Sequence, residues 1–119
     1  MSDDDSEILE RWLTAVNEGV RTGRWTAIEQ LLRDDAEMEF VGIPVGPFLG
    51  REAIVEAYRT QPPDDTCLRL GPVRGEGAWL VSTYAWSGRP TEPAGEVHVR
   101  AGPQGIEKVR ILYGRFSRA

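Results

Sequence analysis

The spacing of apolar residues changes partway along the chain, and that change constrains the fold more than any other feature. Early on, Leu9, Trp12, Leu13, Val16 and Val20 recur every three or four positions, the spacing of an amphipathic helix. Ser6 is placed to cap this helix and Gly23 to end it, as side-chain acceptors and glycines do. Gly19 lies inside the pattern, where a glycine is expected to bend or weaken a helix. Residues 25–33, "WTAIEQLLR", predict a second short helix with Trp25, Ile28, Leu31 and Leu32 on one side. "REAIVEAYRTQ" predicts a third, with Ile54 and Tyr58 one turn apart, stopped by "PPDD". Beyond it the period falls to two. Strands are expected at residues 66–73, 78–86, 95–101 and 106–116, separated by the turn signals "RGEG", "SGRPTEP" and "AGPQG".

One more alternating segment, "AEMEFVG", precedes the third helix, as a half-buried strand would. The order is therefore α-α-β-α followed by four strands. Helices in the N-terminal half and a late meander imply an α+β fold, with three helices packed on one face of a curved, mixed or antiparallel sheet. Such a sheet can close into a cone whose open end holds a small molecule. The 119 residues contain no repeat, low-complexity tract or linker, so residues 1–119 are read as a single domain. Residues 1–5, "MSDDD", are polar and expected to be disordered.

Composition narrows the chemistry. The net charge of −5 argues against a free-standing nucleic-acid binder, which carries a basic face. Cys67 is the only cysteine, His98 the only histidine and Lys108 the only lysine. An intramolecular disulfide and a multi-histidine metal site are thereby excluded, and no metal or cofactor is expected. No apolar run is long enough to span a membrane. The acidic start, "MSDDDSEILE", does not read as a signal peptide, so the expected location is cytoplasmic.

The stretch "DDAEMEFVG" (residues 34–42) poses the main question about catalysis. Alternation puts Glu37 and Glu39 on one strand face and Met38 and Phe40 on the other. An apolar cavity face sends the glutamates outward. A register shift of one residue would instead turn Glu39 inward as a general base. Asp34 and Asp35 are expected to form turns and caps. Glu96, His98 and Arg100 share a strand face opposite Val97 and Val99. His98 is the only side chain whose ordinary pKa lies near neutrality. Cys67 opens a strand and reads as a small core residue. "VGIPVGPFLG" reads as a loop near the cone mouth, and as part of a lid or entrance.

Four segments carry a resemblance: "WLTAVNEG", "WTAIEQLLRDDAEMEFVG", "GREAIVEAYRTQ" and "KVRILYGRF". Through them the chain, from about Ser6 to Phe116, resembles the nuclear transport factor 2-like superfamily, in its SnoaL-like and ketosteroid isomerase-like branch. The resemblance implies a cone-shaped α+β barrel and, commonly, a homodimer. It also points Glu96, His98 and Arg100 away from the cavity, toward a dimer interface or partner sheet. Lining a hydrophobic ligand pocket it would place Trp12, Val16, Met38, Phe40, Tyr58, Leu80, Ser82, Tyr84, Trp86, Val97, Val99, Ile111 and Tyr113.

Ketosteroid isomerases use an aspartate base facing a tyrosine and a protonated aspartic acid. In this chain the base position is filled by Phe40 and that of the protonated acid by Val97. The tyrosine position falls on Trp12 or Val16, because the extra "VRTG" after "NEG" blurs the register. Tyr58 matches a supporting tyrosine. All three catalytic positions of the steroid isomerases are thus lost, and no steroid isomerase activity is expected. Members of such a fold family differ in function, so the site must decide. Two functions are compatible with these residues. One is an isomerase, cyclase or dehydratase acting on a hydrophobic, polyketide- or steroid-like substrate, with Tyr58, Glu39 and His98 as candidate catalytic groups. The other is a non-catalytic domain that binds a hydrophobic small molecule or a protein.

Overall fold

Most elements of the described residues follow from the change of period, and the apolar stripe of the first helix packs against the second helix and the outer strands of the sheet. The protein, seen in a computed structural model, is described for residues 3–113, with side chains for residues 7–112. Helix α1 runs over Asp3–Thr22 and buries Leu9, Trp12, Leu13 and Val16. It begins ahead of Ser6, which is therefore inside the helix and not its cap. Residues 3–5, expected to be disordered, are helical, and residues 1–2 lie outside the described residues.

Gly19 does not mark a weak point in α1. A Cβ there would fall on the indole ring of Trp25. The glycine lets the lead-in to α2 cross α1 closely, and the Trp25 ring then stacks on Tyr58 at 5.1 Å. Helix α2 (Thr26–Leu31) is shorter than its apolar pattern predicts. Leu32 already has extended geometry, with φ −90 and ψ 141. Its buried side chain belongs to the sheet, where it sits beside Ile106.

The remaining elements are β1 (Leu32–Val41), β2 (Phe48–Leu49), α3 (Arg51–Thr60), β3 (Cys67–Glu76), β4 (Trp79–Trp86), β5 (Gly95–Gly102) and β6 (Gly105–Tyr113). Residues 114–116, expected to extend the last strand, lie outside the described residues. The six strands form one sheet in the order β2-β1-β6-β5-β4-β3. The late meander is antiparallel throughout, whereas β1 pairs with β6 in parallel, so the sheet is mixed. Irregular register in β1, β3 and β5 bends it, because a bulge increases local twist.

Asp34 and Asp35 fall in the irregular stretch of β1 and not in a turn, which corrects the expectation from sequence. The strand must start before them, since Leu32 is needed in the core. The irregularity leaves both carboxylates exposed, Asp34 against Arg51 at 2.8 Å and Asp35 against Arg33 at 2.6 Å. The "VGIPVGPFLG" segment also contains a strand, the two-residue β2, which pairs Phe48 with Met38.

Helix α1 is tied to the outer strand β3 by side chains. The Asn17 amide donates to the Cys67 carbonyl at 2.7 Å and accepts from the Cys67 N–H at 2.8 Å. It thereby completes two backbone groups that an edge strand would otherwise expose. Glu10 and Arg69 form a second tie between the same elements.

Candidate functional site

The register of the sheet decides which side chains face inward. Met38 lies beside Val109 and Phe40 beside Ile111 in the parallel pair, while Val97 faces both Ile111 and Ser82. Residues paired across strands share a face, so Met38, Phe40, Val97 and Ile111 are together on the concave side. Glu37 and Glu39 are on the convex side with Lys108 (3.7 and 3.4 Å), and Glu39 also approaches Arg110 at 3.9 Å. The shifted register that would have turned Glu39 inward is not adopted. It would expel Met38, which is 1% exposed.

Between the concave face and the helices lies a cavity of ≈ 650 Å³. Helix α1 contributes Trp12, Leu13 and Val16, and α3 contributes Ala57 and Tyr58. The sheet adds Met38, Phe40, Phe48, Cys67, Tyr84, Trp86, Val97 and Ile111. The rings pack on one another. Tyr58 meets Trp12 edge-on at 6.1 Å, Phe40 meets Phe48 at 6.2 Å, and Tyr84 meets Trp86 at 5.5 Å. Gly95 is the cross-strand partner of Tyr84. A Cβ there would collide with the Leu112 carbonyl and come within 3.1 Å of the Tyr84 ring, so the missing side chain is what lets that phenol ring lie over β5.

The exposed lining residues mark the mouth: Gln61, Pro62, Asp64, Gly88 and Arg89, with Ile43 and Val45 from the β1–β2 segment half-buried beside the cavity. Asp65 ties two of the mouth loops together. One carboxylate oxygen accepts from Thr66 N–H and the other from Gly88 N–H, each at 2.8 Å. The Thr66 carbonyl accepts from Ser87 N–H at 2.8 Å, and the two hydroxyls meet at 2.6 Å.

Nine of the residues expected in the pocket line this cavity: Trp12, Val16, Met38, Phe40, Tyr58, Tyr84, Trp86, Val97 and Ile111. Leu80, Ser82 and Val99 share the concave face but lie further along the strands, in the packed core. The Ser82 hydroxyl donates to the Thr83 carbonyl at 3.2 Å and offers no polar handle to the cavity. The side chain of Tyr113 lies outside the described residues. Glu39 and His98, candidate acid–base groups, do not line the cavity. His98 is on the convex face, its ring 6.2 Å from Trp79 and its Nε2 3.0 Å from Glu96.

Leu13, Ala57, Cys67 and the mouth residues at 61–65 and 88–89 were missed from sequence, whereas Ile43, Val45 and Phe48 fall in the segment expected near the cone mouth. Leu13 was on the helical stripe and so was findable. The meeting of Asp65 with Gly88 joins loops 23 residues apart and leaves no local signal. Burial pushes the Cys67 thiol up to about 11, and the charge of Asp65 acts in the same direction. The thiol is thus neutral at physiological pH and is a poor nucleophile.

The chemistry open to the site follows. Among the described lining residues, the ionisable groups are the carboxylates and guanidinium at the mouth, two phenols and this neutral thiol. Phe40, Val97, Trp12 and Val16 all line the cavity. Among the described residues no group of three or more His, Cys, Asp or Glu is arranged to hold a metal ion. No described helix is long and apolar enough to cross a membrane.

The same architecture recurs in solved structures. A Kribbella flavida protein provisionally described as a ketosteroid isomerase matches with a TM-score of 0.70 at 13% identity, over 96% of this chain and 80% of that one. A provisionally described isomerase of the SnoaL-like family from Agrobacterium tumefaciens matches with a TM-score of 0.68 at 18% identity, over 96% of this chain and 100% of that one. A nuclear transport factor 2-like protein of unknown function from Cytophaga hutchinsonii matches with a TM-score of 0.62 at 12% identity, over 91% and 88%. Identities this low establish a shared fold and not a shared activity. No curated protein matches the chain. The sequence model of the SnoaL-like domain matches residues 9–117, which is nearly the whole fold just described. With its curved mixed sheet, three helices and inward-facing apolar strands, the chain belongs to the SnoaL-like domain family, within the nuclear transport factor 2-like fold.

Proposed function

We propose that this protein binds a hydrophobic small molecule in the cone and does not perform the proton transfer of the steroid isomerases. The observation that carries this reading is the lining itself. Phe40, Val97, Trp12 and Val16, which the family resemblance sets at the base and oxyanion-donor positions, line the cavity. A phenyl ring and a valine side chain can neither take a proton nor donate a hydrogen bond, and the Trp12 indole N–H can donate one but cannot act as a base. What the lining does supply is apolar and aromatic surface, on the scale of pockets that take small organic ligands.

The reading is tested with Trp fluorescence and a displaceable apolar dye. Micromolar binding of polycyclic or polyketide-like compounds is expected, weakened by Ala57→Leu, which fills space at a half-buried lining position on α3, in a protein whose circular dichroism is unchanged. The same preparation is expected to leave a β,γ-unsaturated 3-ketosteroid unconverted above the buffer rate. Rapid conversion would overturn the assignment of Phe40 to the base position. Family membership favours a second reading, an isomerase, cyclase or dehydratase that positions substrate through Tyr58 and Tyr84. It requires turnover that is lost in Tyr58→Phe or Tyr84→Phe.

The protein also works, on this proposal, as a homodimer joined through the convex sheet face. Val41 and Leu49 are 41% and 67% exposed there. Around them stand Glu37, Glu39, Lys108 and Arg110, charges of both signs that a two-fold axis can match against themselves.

A further inference from the structure

The mouth of the cavity is charged unevenly. Two of its carboxylates, Asp64 and Asp65, are adjacent in sequence. The described cation that lines it, Arg89, is 76% exposed in its side chain and already faces Glu92 at 3.3 Å. The field of Asp65 reaches the cavity wall, since its charge adds to the burial that holds the Cys67 thiol neutral. Asp65 is also held in place, with each oxygen accepting one backbone N–H at 2.8 Å. A carboxylate so engaged keeps lone pairs for a further donor. Trp86, the cross-strand partner of Cys67, lines the same cavity as Asp64 and Asp65, with Tyr84 edge-on to its ring. Aromatic faces stabilise a cation and do nothing comparable for an anion.

We propose that the ligand of this cavity is an apolar, ring-bearing molecule whose polar end is a protonated amine, seated at the mouth between the Trp86 and Tyr84 rings and the Asp64–Asp65 carboxylates. The inference rests on the binding function proposed above and adds the charge of the ligand to it. A carboxylate at the same end would meet two like charges, with Arg89 shared with Glu92.

The test uses three probes of one shape: 1-naphthylmethylamine, 1-naphthalenemethanol and 1-naphthoate, titrated against the full chain by calorimetry at low and high salt. The amine is expected to bind about fivefold more tightly than the alcohol at low salt, the size of one charge pair in contact across water. The naphthoate is expected to bind more weakly than either. The preference for the amine shrinks at high salt, because the mouth is open to solvent. It also falls in Asp64→Asn, read as the ratio of amine to alcohol affinity within the variant, so that a general loss of binding is not mistaken for a loss of charge preference. Equal affinity for all three probes, or a preference for the naphthoate, overturns the charge assignment and leaves the binding function standing. Failure of all three, and of the apolar dye as well, overturns both.

Discussion

Gly19 shows how a single residue can carry opposite meanings at two levels of structure. Helix propensity alone says that alanine would be better there by about 0.8–1 kcal/mol. Packing says the reverse, because a Cβ would overlap the Trp25 indole, and forcing a group into a filled core costs about 1–3 kcal/mol. The larger effect decides, and the glycine belongs to the Trp25–Tyr58 stack. Cys67 makes the same point about reactivity. Burial first, and the nearby Asp65 charge second, raise its pKa to about 11. A raised pKa in an acid means that the proton stays on through neutral and mildly alkaline pH. Iodoacetamide labelling followed by mass spectrometry is therefore expected to be slow in the native protein at pH 8 to 9. It should rise steeply near pH 11, whereas the urea-unfolded chain labels readily at about pH 8.5. Fast labelling of native protein at pH 8 would mean that Cys67 is more open than its position indicates.

At the scale of elements, the strand "DDAEMEFVG" holds the register that matters most for the site. Its alternation was legible: Met38 is buried and Glu37 exposed. Its beginning was not. Leu31, Leu32 and Arg33 continue a helical pattern, and only the place waiting for Leu32 beside Ile106 ends α2 early. The attachment of α1 to β3 was also invisible, since Asn17 and Cys67 are 50 residues apart. Replacing Asn17 by Ala would leave one N–H and one carbonyl of an edge strand without their partner. A loss of about 1–3 kcal/mol is expected in urea unfolding, together with faster amide exchange at Cys67. An unchanged midpoint would show that water replaces both bonds without penalty.

At the scale of the whole molecule, the convex face remains. Arg110 lies 4.2 Å and Arg100 5.3 Å from the centre of the Trp79 ring, and His98 packs against its edge. Together with exposed Val41 and Leu49, this gives the proposed dimer an interface of mixed character. Sedimentation velocity at tens of micromolar is expected to show a dimer, weakened at least about tenfold by Leu49→Arg. A monomer under those conditions would remove the proposal.

The order of the helices and longer strands and the two alternating faces of β1 and β5 follow from local rules. Period, turn residues and strand alternation act over a few positions, so one chain read linearly contains them. The parallel pairing of β1 with β6, the burial of Ser82 away from the cavity and the joining of the mouth loops through Asp65 do not. Each depends on where two distant segments meet, and that is decided only when the sheet curves and closes on its helices. Phe40 belongs to both levels. Its place on an inward strand face was readable from alternation, whereas its role as a wall of the cavity exists only because Ile111, from the far end of the chain, lies beside it.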